Sequence, residues 1–413
     1  MSALSTEQYE KALGRKIAQH RKRRGLSQRE LASLLSRSEA WMSQVERGVR
    51  RIDRMTVLEK VAEVLGVPIA ELAAESPLMA SAADRETPGA SRLRLVLSAA
   101  HSLRAILGPS EPQDIASLRA GVTRAWSLTH EGGYEDLFEL LEELVPQLES
   151  AARAEVSEEE RAESFRLLAA LYQTCSAALA NLGEPETAWV AADRAIMAAE
   201  RAGDPLLMAA GEFRLSIVFL STRHYGQAAQ VSGSAADALA PLAETDRPEA
   251  LALRGALTLQ RAVAAGRLNR AEEAYAHLRH ARELADRIGE GRNDHNTEFG
   301  PANVSLHEVA VAVDLGDAGL ALRAAQAIDI SGLSPERQAR FGIDLAKAHA
   351  QRRQVDEAVS MLERVLHAAP ELFHTKPAVR QLVTDLQTMS PLPPARLRVL
   401  ARELRLPEER ATS

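Results

Sequence analysis

The chain has 413 residues, too many for one compact core, so two or more domains are expected. Hydrophobic residues at 46 % exclude wholesale disorder, and aromatics at only 4 % in a sequence crowded with Ala, Leu, Glu and Arg point to closely packed helices rather than sheets. The net charge of −7 conceals an asymmetry: residues 1–60 hold 14 Lys and Arg against 7 Asp and Glu, which leaves a net of −14 on the remainder. A basic head on an acidic body directs the head towards a polyanion. The single cysteine, Cys175, excludes an internal disulfide or a multi-thiolate metal site, and its apolar surroundings "LLAALYQTCSAALA" read as a buried structural thiol. No signal-like segment and no apolar run of about 18 residues occurs, so no membrane partner and a cytoplasmic location are expected.

Residues 1–75 read as a domain of five short helices. Leu13 and Ile17 mark the buried face of the first, which ends at Gly25. Ser27 caps the second, with Glu30 three residues on as a capping box and Leu31, Leu34 and Leu35 inward. Ser38 caps the third, which runs to Gly48 with Met42 and Val45 inward. Asp53 caps the fourth, carrying Leu58, Val61, Ala62 and Leu65, and Pro68 opens the fifth with Ile69 and Leu72. Residues 76–91, "SPLMASAADRETPGAS", read as a linker.

Helical periodicity then resumes near Leu93, giving a repeat domain over 92–405 and a tail over 406–413. Turns such as "NLGEPETA", "TRHYGQAA", "AAGRLNRAEEA", "DLGDAGLA" and "QRRQVDEA" separate paired amphipathic stretches, and "HEGGYEDL" marks a weaker first unit at Leu137. Small residues at Ala188, Ala228, Ala271, Ala321 and Ala358 set a register with spacings of 40, 43, 50 and 37. Since a helical pair cannot bury both faces alone, the pairs are expected to stack into a superhelix. The fold class is therefore all-α: a five-helix head followed by a superhelical array of helix pairs.

The stretch Arg21–Gly48, "RKRRGLSQRELASLLSRSEAWMSQVERG", resembles the lambda-repressor-like (XRE) helix-turn-helix family through "GLSQ", "ELA", a Ser before the third helix, Met42-Ser43 and the closing "ERG". The likeness covers about 70 residues and implies sequence-specific binding to a double-stranded DNA operator. One departure is Ser36, where the family's turn carries Gly; a left-handed backbone there costs about 1 kcal/mol relative to Gly. A helix in the major groove offers its first turns to base edges. In the third helix these are Glu39, Ala40, Ser43 and Gln44, with Trp41 at the groove wall. Gln44 suits adenine, Glu39 a cytosine amino group and Ala40 a thymine methyl. Gln28, at the start of the second helix, is expected on a phosphate, and Arg47, Arg50 and Arg51 on the opposite backbone. By position, Arg21 and Glu46 form the family's internal ion pair, which orients the reading helix.

The helix pairs resemble tetratricopeptide repeats, best in the last unit, where Pro370 falls 12 residues after Ala358; the others run long and lack the consensus Trp. The first helices of such pairs line a concave face, whose inward positions are Gln173, Arg214, Gln260, Asn303, His307 and Lys347, a candidate groove for a peptide or small-molecule effector. The segment "NDHNTEFGPANVSLHEVAVAVDLGD" resembles a stretch of actinobacterial helix-turn-helix plus repeat regulators. Asn303 and His307 within it share one helical face, and either meet a ligand or bond to the neighbouring repeat. The domain order also resembles peptide-responsive quorum-sensing regulators of Gram-positive bacteria.

Phosphate loops, "HExxH" and nucleophile elbows are absent from the sequence, and "HLRH" at His277–His280 reads as surface histidines, so neither enzymatic activity nor a cofactor or metal is expected. One head touches few base pairs, which implies a homodimer on an inverted-repeat operator. The expectation is a ligand-responsive transcriptional regulator; the alternative is an interaction scaffold whose head docks protein.

Overall fold

The computed structural model describes residues 6–50, 52, 55–72, 90–98, 114–154, 157–245, 247–390, 393–404 and 406, and every regular element among them is a helix. The head comprises α1 (Thr6–Arg23), α2 (Gln28–Leu34), α3 (Glu39–Glu46), α4 (Met55–Leu65) and α5 (Ile69–Leu72). Ser27 closes a capping box with Glu30, and the Ser38 hydroxyl accepts from the Trp41 amide, so α2 and α3 begin where short polar side chains satisfy orphan N–H groups. Ser36 between them takes the left-handed conformation, φ +53°. Leu13, Ile17, Leu31, Met42, Val45, Val61 and Leu72 fill one core. Leu34 lies apart from it, half-buried against the body. Asp53, and residues 76–89 of the expected linker, lie outside the described residues, and the next helix, α6 (Ala90–Leu97), starts inside the linker's expected end.

The body continues with α7 (Ile115–Glu131), α8 (Tyr134–Ala151), α9 (Glu158–Leu182), α10 (Pro185–Arg201), α11 (Pro205–Ser221), α12 (Tyr225–Ala238) and the short α13 (Ala240–Glu244). It then runs through α14 (Pro248–Arg267), α15 (Ala271–Ile288), α16 (Pro301–Leu315), α17 (Ala318–Ala325), α18 (Pro335–Gln351), α19 (Val355–Ala368), α20 (Pro370–Thr375), α21 (Pro377–Met389) and α22 (Ala395–Glu403). Six pairs repeat one design: α7/α8, α9/α10, α11/α12, α14/α15, α16/α17 and α18/α19. In each, the fourth residue of the second helix is fully buried: Leu137, Ala188, Ala228, Ala274, Ala321 and Ala358. The expected marker Ala271 is corrected to Ala274. Ala271 is the exposed first residue of α15, and "AEEA" offers two alanines three apart of which only the second reaches the contact.

Each pair also turns through one left-handed residue two positions before its second helix: Gly132, Gly183, Arg223, Asn269, Gly316 and Arg353. Arg at two of these positions is unusual, because a Cβ there costs roughly 1 kcal/mol or more. Both arginines reach the head, as described below.

The array curves until its ends meet. The Tyr134 amide donates to the Glu371 carboxylate at 3.1 Å, and Asn181 on α9 accepts from Arg340 on α18 and from Lys376, which lies between α20 and α21. Asn181 in turn donates to the Tyr134 hydroxyl at 3.0 Å. Cys175 is completely buried in α9, where burial pushes its thiol pKa up to about 12.

Candidate nucleic-acid interface and interior cavity

The outward face of α3 is the chemically addressable surface of the head. Ala40 and Arg47 are exposed, Ser43 and Gln44 are half-exposed beside them, and Arg50 follows in the open. Glu39 holds an exposed contact with Arg29 at 2.9 Å, and Arg37 lies 5.7 Å above the Trp41 ring, which is partly buried against the head core. Arg51 lies outside the described residues.

Behind this face the Glu46 carboxylate gathers three donors: Arg21 Nε at 2.5 Å, Arg21 Nη2 at 2.9 Å and Gln28 Nε2 at 2.7 Å. Arg21 Nη1 donates to the Leu26 carbonyl at 2.7 Å, so one buried guanidinium ties α1, the α1–α2 turn and α3 together. Gln28, expected on a phosphate, points its amide at Glu46 instead, because a carboxylate with a lone pair to spare lies within reach.

The basic run "RKRR" turns mainly inward. Arg21 serves the head, while Arg23 and Arg24 fasten the head to the body. Arg24 forms a forked pair with Asp385 on α21, whose side chain is 3 % exposed. Arg23 donates to the carbonyls of Gly266 and Arg267 in the last turn of α14, where a cation meets the negative end of a helix. Gln351 donates to the Arg23 carbonyl and to that of Val313, both at 2.9 Å. The two left-handed arginines complete the seat: Arg353 is bidentate to Glu30 at 2.6 and 2.7 Å, and Arg223 reaches Glu71 at 3.4 Å. Gly25 (φ +71°) presses against Ala350, whose carbonyl would lie 2.7 Å from any added Cβ.

The first helices of all six pairs converge on an interior cavity of about 320 Å³. Arg214, Gln260, Asn303, His307 and Lys347 line it. Gln173 does not: it is buried outside the cavity with its amide on the Leu207 carbonyl at 3.2 Å, a correction to its expected place in the groove. Asn303 supports another side chain, its oxygen accepting from Arg337 of the next pair. His307 Nδ1 lies 2.9 Å from the Asn303 carbonyl, and burial, with Arg337 nearby, pulls its pKa down to about 4.

The cavity's charges form a definite pattern. Arg337 pairs with Glu298 at 2.5 Å, Arg340 with Glu336, Lys347 with Asp344 at 2.8 Å, and Arg267 with Asp314 at 3.1 Å. These take every carboxylate in the wall. Arg214 and Lys376 remain, with no carboxylate partner among the described residues. Arg214 is 7 % exposed, stacks 4.8 Å from Trp126 and 4.9 Å from Phe213, and donates to the carbonyls of His295 and Asn296. Its Nε has no partner, and burial with Arg337 nearby depresses its pKa to about 9. Lys376 is brought down to about 7 by burial first and by Arg340 second, against the opposing pull of Glu336. The wall includes a strained stretch: His295, Asn296 and Glu298 all have positive φ, and Arg214 and Arg337 hold its carbonyls. Arg337, Arg340, Glu336 and Lys376 escaped the sequence reading. For the first three the signal was present, as charges at helical spacing in "PERQARFGIDLAK"; for Lys376, in a short inter-helix segment, there was none.

No helix among the described residues is long and apolar enough to cross a membrane. The comparison with curated proteins returns no match for the chain. Residues 12–74 match the family model of a helix-turn-helix domain, a match confined to the head, and the head is accordingly a helix-turn-helix domain.

Proposed function

We propose that the protein is a sequence-specific DNA-binding regulator of the XRE type, with a tetratricopeptide-like body that senses a ligand. One observation carries the reading: in the intact chain the outer face of α3 stays open, with Ala40, Ser43, Gln44 and Arg47 presented together, while the opposite edge of the head is fixed to the body. Among the exposed basic residues of the head, Arg47 and Arg50 follow α3 and flank that face as phosphate contacts require. The reading makes the protein cytoplasmic.

Ligand control is supported by continuity. Helices α14, α16 and α18 line the cavity along their length; the ends of α14 and α18 carry Gly266, Arg267 and Gln351, where the head sits, and Gln351 also bonds to Val313 near the end of α16. A ligand that changes their packing changes the seat, and a tenfold shift in DNA affinity needs a preference of only about 1.4 kcal/mol. Homodimerisation is supported by an exposed apolar strip on α10, where Trp189, Val190 and Met197 line one groove with Phe165 and Tyr172. A second copy is the occupant this reading requires, since one head reads too few base pairs.

The test is to sequence DNA fragments retained by the purified full chain from a random pool, with and without small molecules extracted from cells. An enriched inverted repeat whose retention changes with the extract is expected. Retention without sequence enrichment would remove specific DNA reading and leave a protein-docking role for the head.

A further inference from the structure

We infer that the interior cavity is a binding site for a small organic oxyanion, a carboxylate or phosphate on a compact apolar frame, held by Arg214 and Lys376 with Gln260 as a neutral donor. Four carboxylates in the wall are each matched to one cation, and these two cations are left over. Unneutralised cations in a low-dielectric interior are unfavourable unless something compensates them. Around Arg214 the chain supplies two aromatic faces and two backbone carbonyls, which orient the guanidinium without cancelling its charge. Lys376 receives only the shared oxygen of Asn181, at 3.4 Å. Gln260 is 7 % exposed and its side chain makes no hydrogen bond among the described residues, so a second buried polar group stands open to the same space.

The remainder of the wall selects the ligand's other end. Trp126, Phe213, Leu259 and Phe341 supply flat and aliphatic surface. A volume of about 320 Å³ lies at the small end of ligand cavities, which span roughly 300–1,000 Å³. The occupant is thus of metabolite size, with anionic oxygens to meet these cations and an apolar part for the aromatic wall. The regulatory consequence rests on the ligand-sensing reading above; the binding itself does not.

The experiment uses the full chain and four probes: phthalate, phenyl phosphate, and the uncharged phthalamide and benzyl alcohol as shape controls. Thermal unfolding and calorimetric titration are read at up to about 10 mM of each. At least one anion should raise the melting temperature while its uncharged counterpart does not, and the preferred anion separates carboxylate from phosphate chemistry. Arg214→Met and Lys376→Met should each weaken that anion at least about tenfold, the loss expected for one charge-assisted contact. Arg279→Met, exposed on α15 away from the cavity, should leave it unchanged. Lys376 lies between helices, so its variant keeps the test valid if the Arg214 variant misfolds. Uncharged probes that stabilise equally, affinity indifferent to both variants, or no response to either anion would each overturn the inference. Operator affinity is measured separately. Anion binding that leaves it unmoved removes ligand control and keeps this site, whereas an extract that moves it while the anions fail to bind does the reverse.

Discussion

Replacing Asp385 by Ala tests whether the head is fixed to the body by charge. Asp385 is 3 % exposed and accepts from Nε and Nη2 of Arg24, and Gln381 also donates to it at 3.2 Å. Arg24 itself is 11 % exposed, and its Nη1 is buried with no partner even in the intact pair. Deleting the carboxylate strands a guanidinium in the interface, a loss of about 3–5 kcal/mol if nothing moves. The chain has a cheaper response, because the head keeps its own core and can leave its seat, returning Arg24 to water. The penalty is therefore capped at the free energy of docking and is expected to appear as undocking, with the global melting transition little changed. Hydrogen exchange should accelerate in residues 21–30 and 381–389 while α9 and α14 stay protected. Arg24→Met combined with Asp385→Leu, which replaces the pair by apolar groups, should restore protection. Parent-like exchange in both segments for Asp385→Ala would refute the assignment of the pair as a fastening on which docking depends.

Glu46→Ala should destabilise the head by about 3–5 kcal/mol, since it strips Arg21 and Gln28 of a shared buried acceptor; exchange in α1–α3 of the full chain reads the loss, and unchanged protection would count against it. Gln44→Ala should cost about 1–3 kcal/mol on the selected operator and relax one base position, whereas Arg50→Ala should weaken all sequences alike and lower the salt slope by about one; competition binding against random DNA separates the two. Anion affinity should be full below pH 7 and fall above it. Lys376 titrates near 7 in the empty cavity, facing Arg340, Lys347, Glu336 and Asn181, and must then take up a proton on binding. His307, at about 4, stays neutral throughout this range, so Lys376→Met should flatten the profile measured by calorimetry between pH 6 and 8.

The head was readable from sequence because its determinants are local. A cap and its partner sit three residues apart in Ser27 and Glu30, and the left-handed Ser36 marks the turn between α2 and α3. Pairing in the body was equally legible, since one buried position per unit repeats through turns of similar composition. The Ala271 for Ala274 exchange shows where this fails: small residues three apart are equivalent in pattern and differ only in which reaches the neighbour. Whatever depends on closure of the array was hidden. Lys376 joins a cavity assembled from helices up to 250 residues earlier in the chain, and no periodicity links it to Trp126. The roles of Arg23 and Arg24 were hidden for the same reason: four basic residues in a row look like a solvated or DNA-facing run until Asp385 and the end of α14 are brought against them.

The seat has a mechanical consequence. It gathers contacts from four consecutive pairs, at Arg223, at Gly266 and Arg267, where α1 packs against α16, and at Gln351 and Arg353, and from Asp385 beyond them. A rigid body fastened at so many points along one edge acts as a splint on the superhelix. Small changes in pitch, each harmless between two neighbours, accumulate along the splinted edge and cannot all be accommodated at once. The array and the head therefore share one stiffness: whatever bends the coil must shed a fastening, and whatever pries the head away frees the coil to bend.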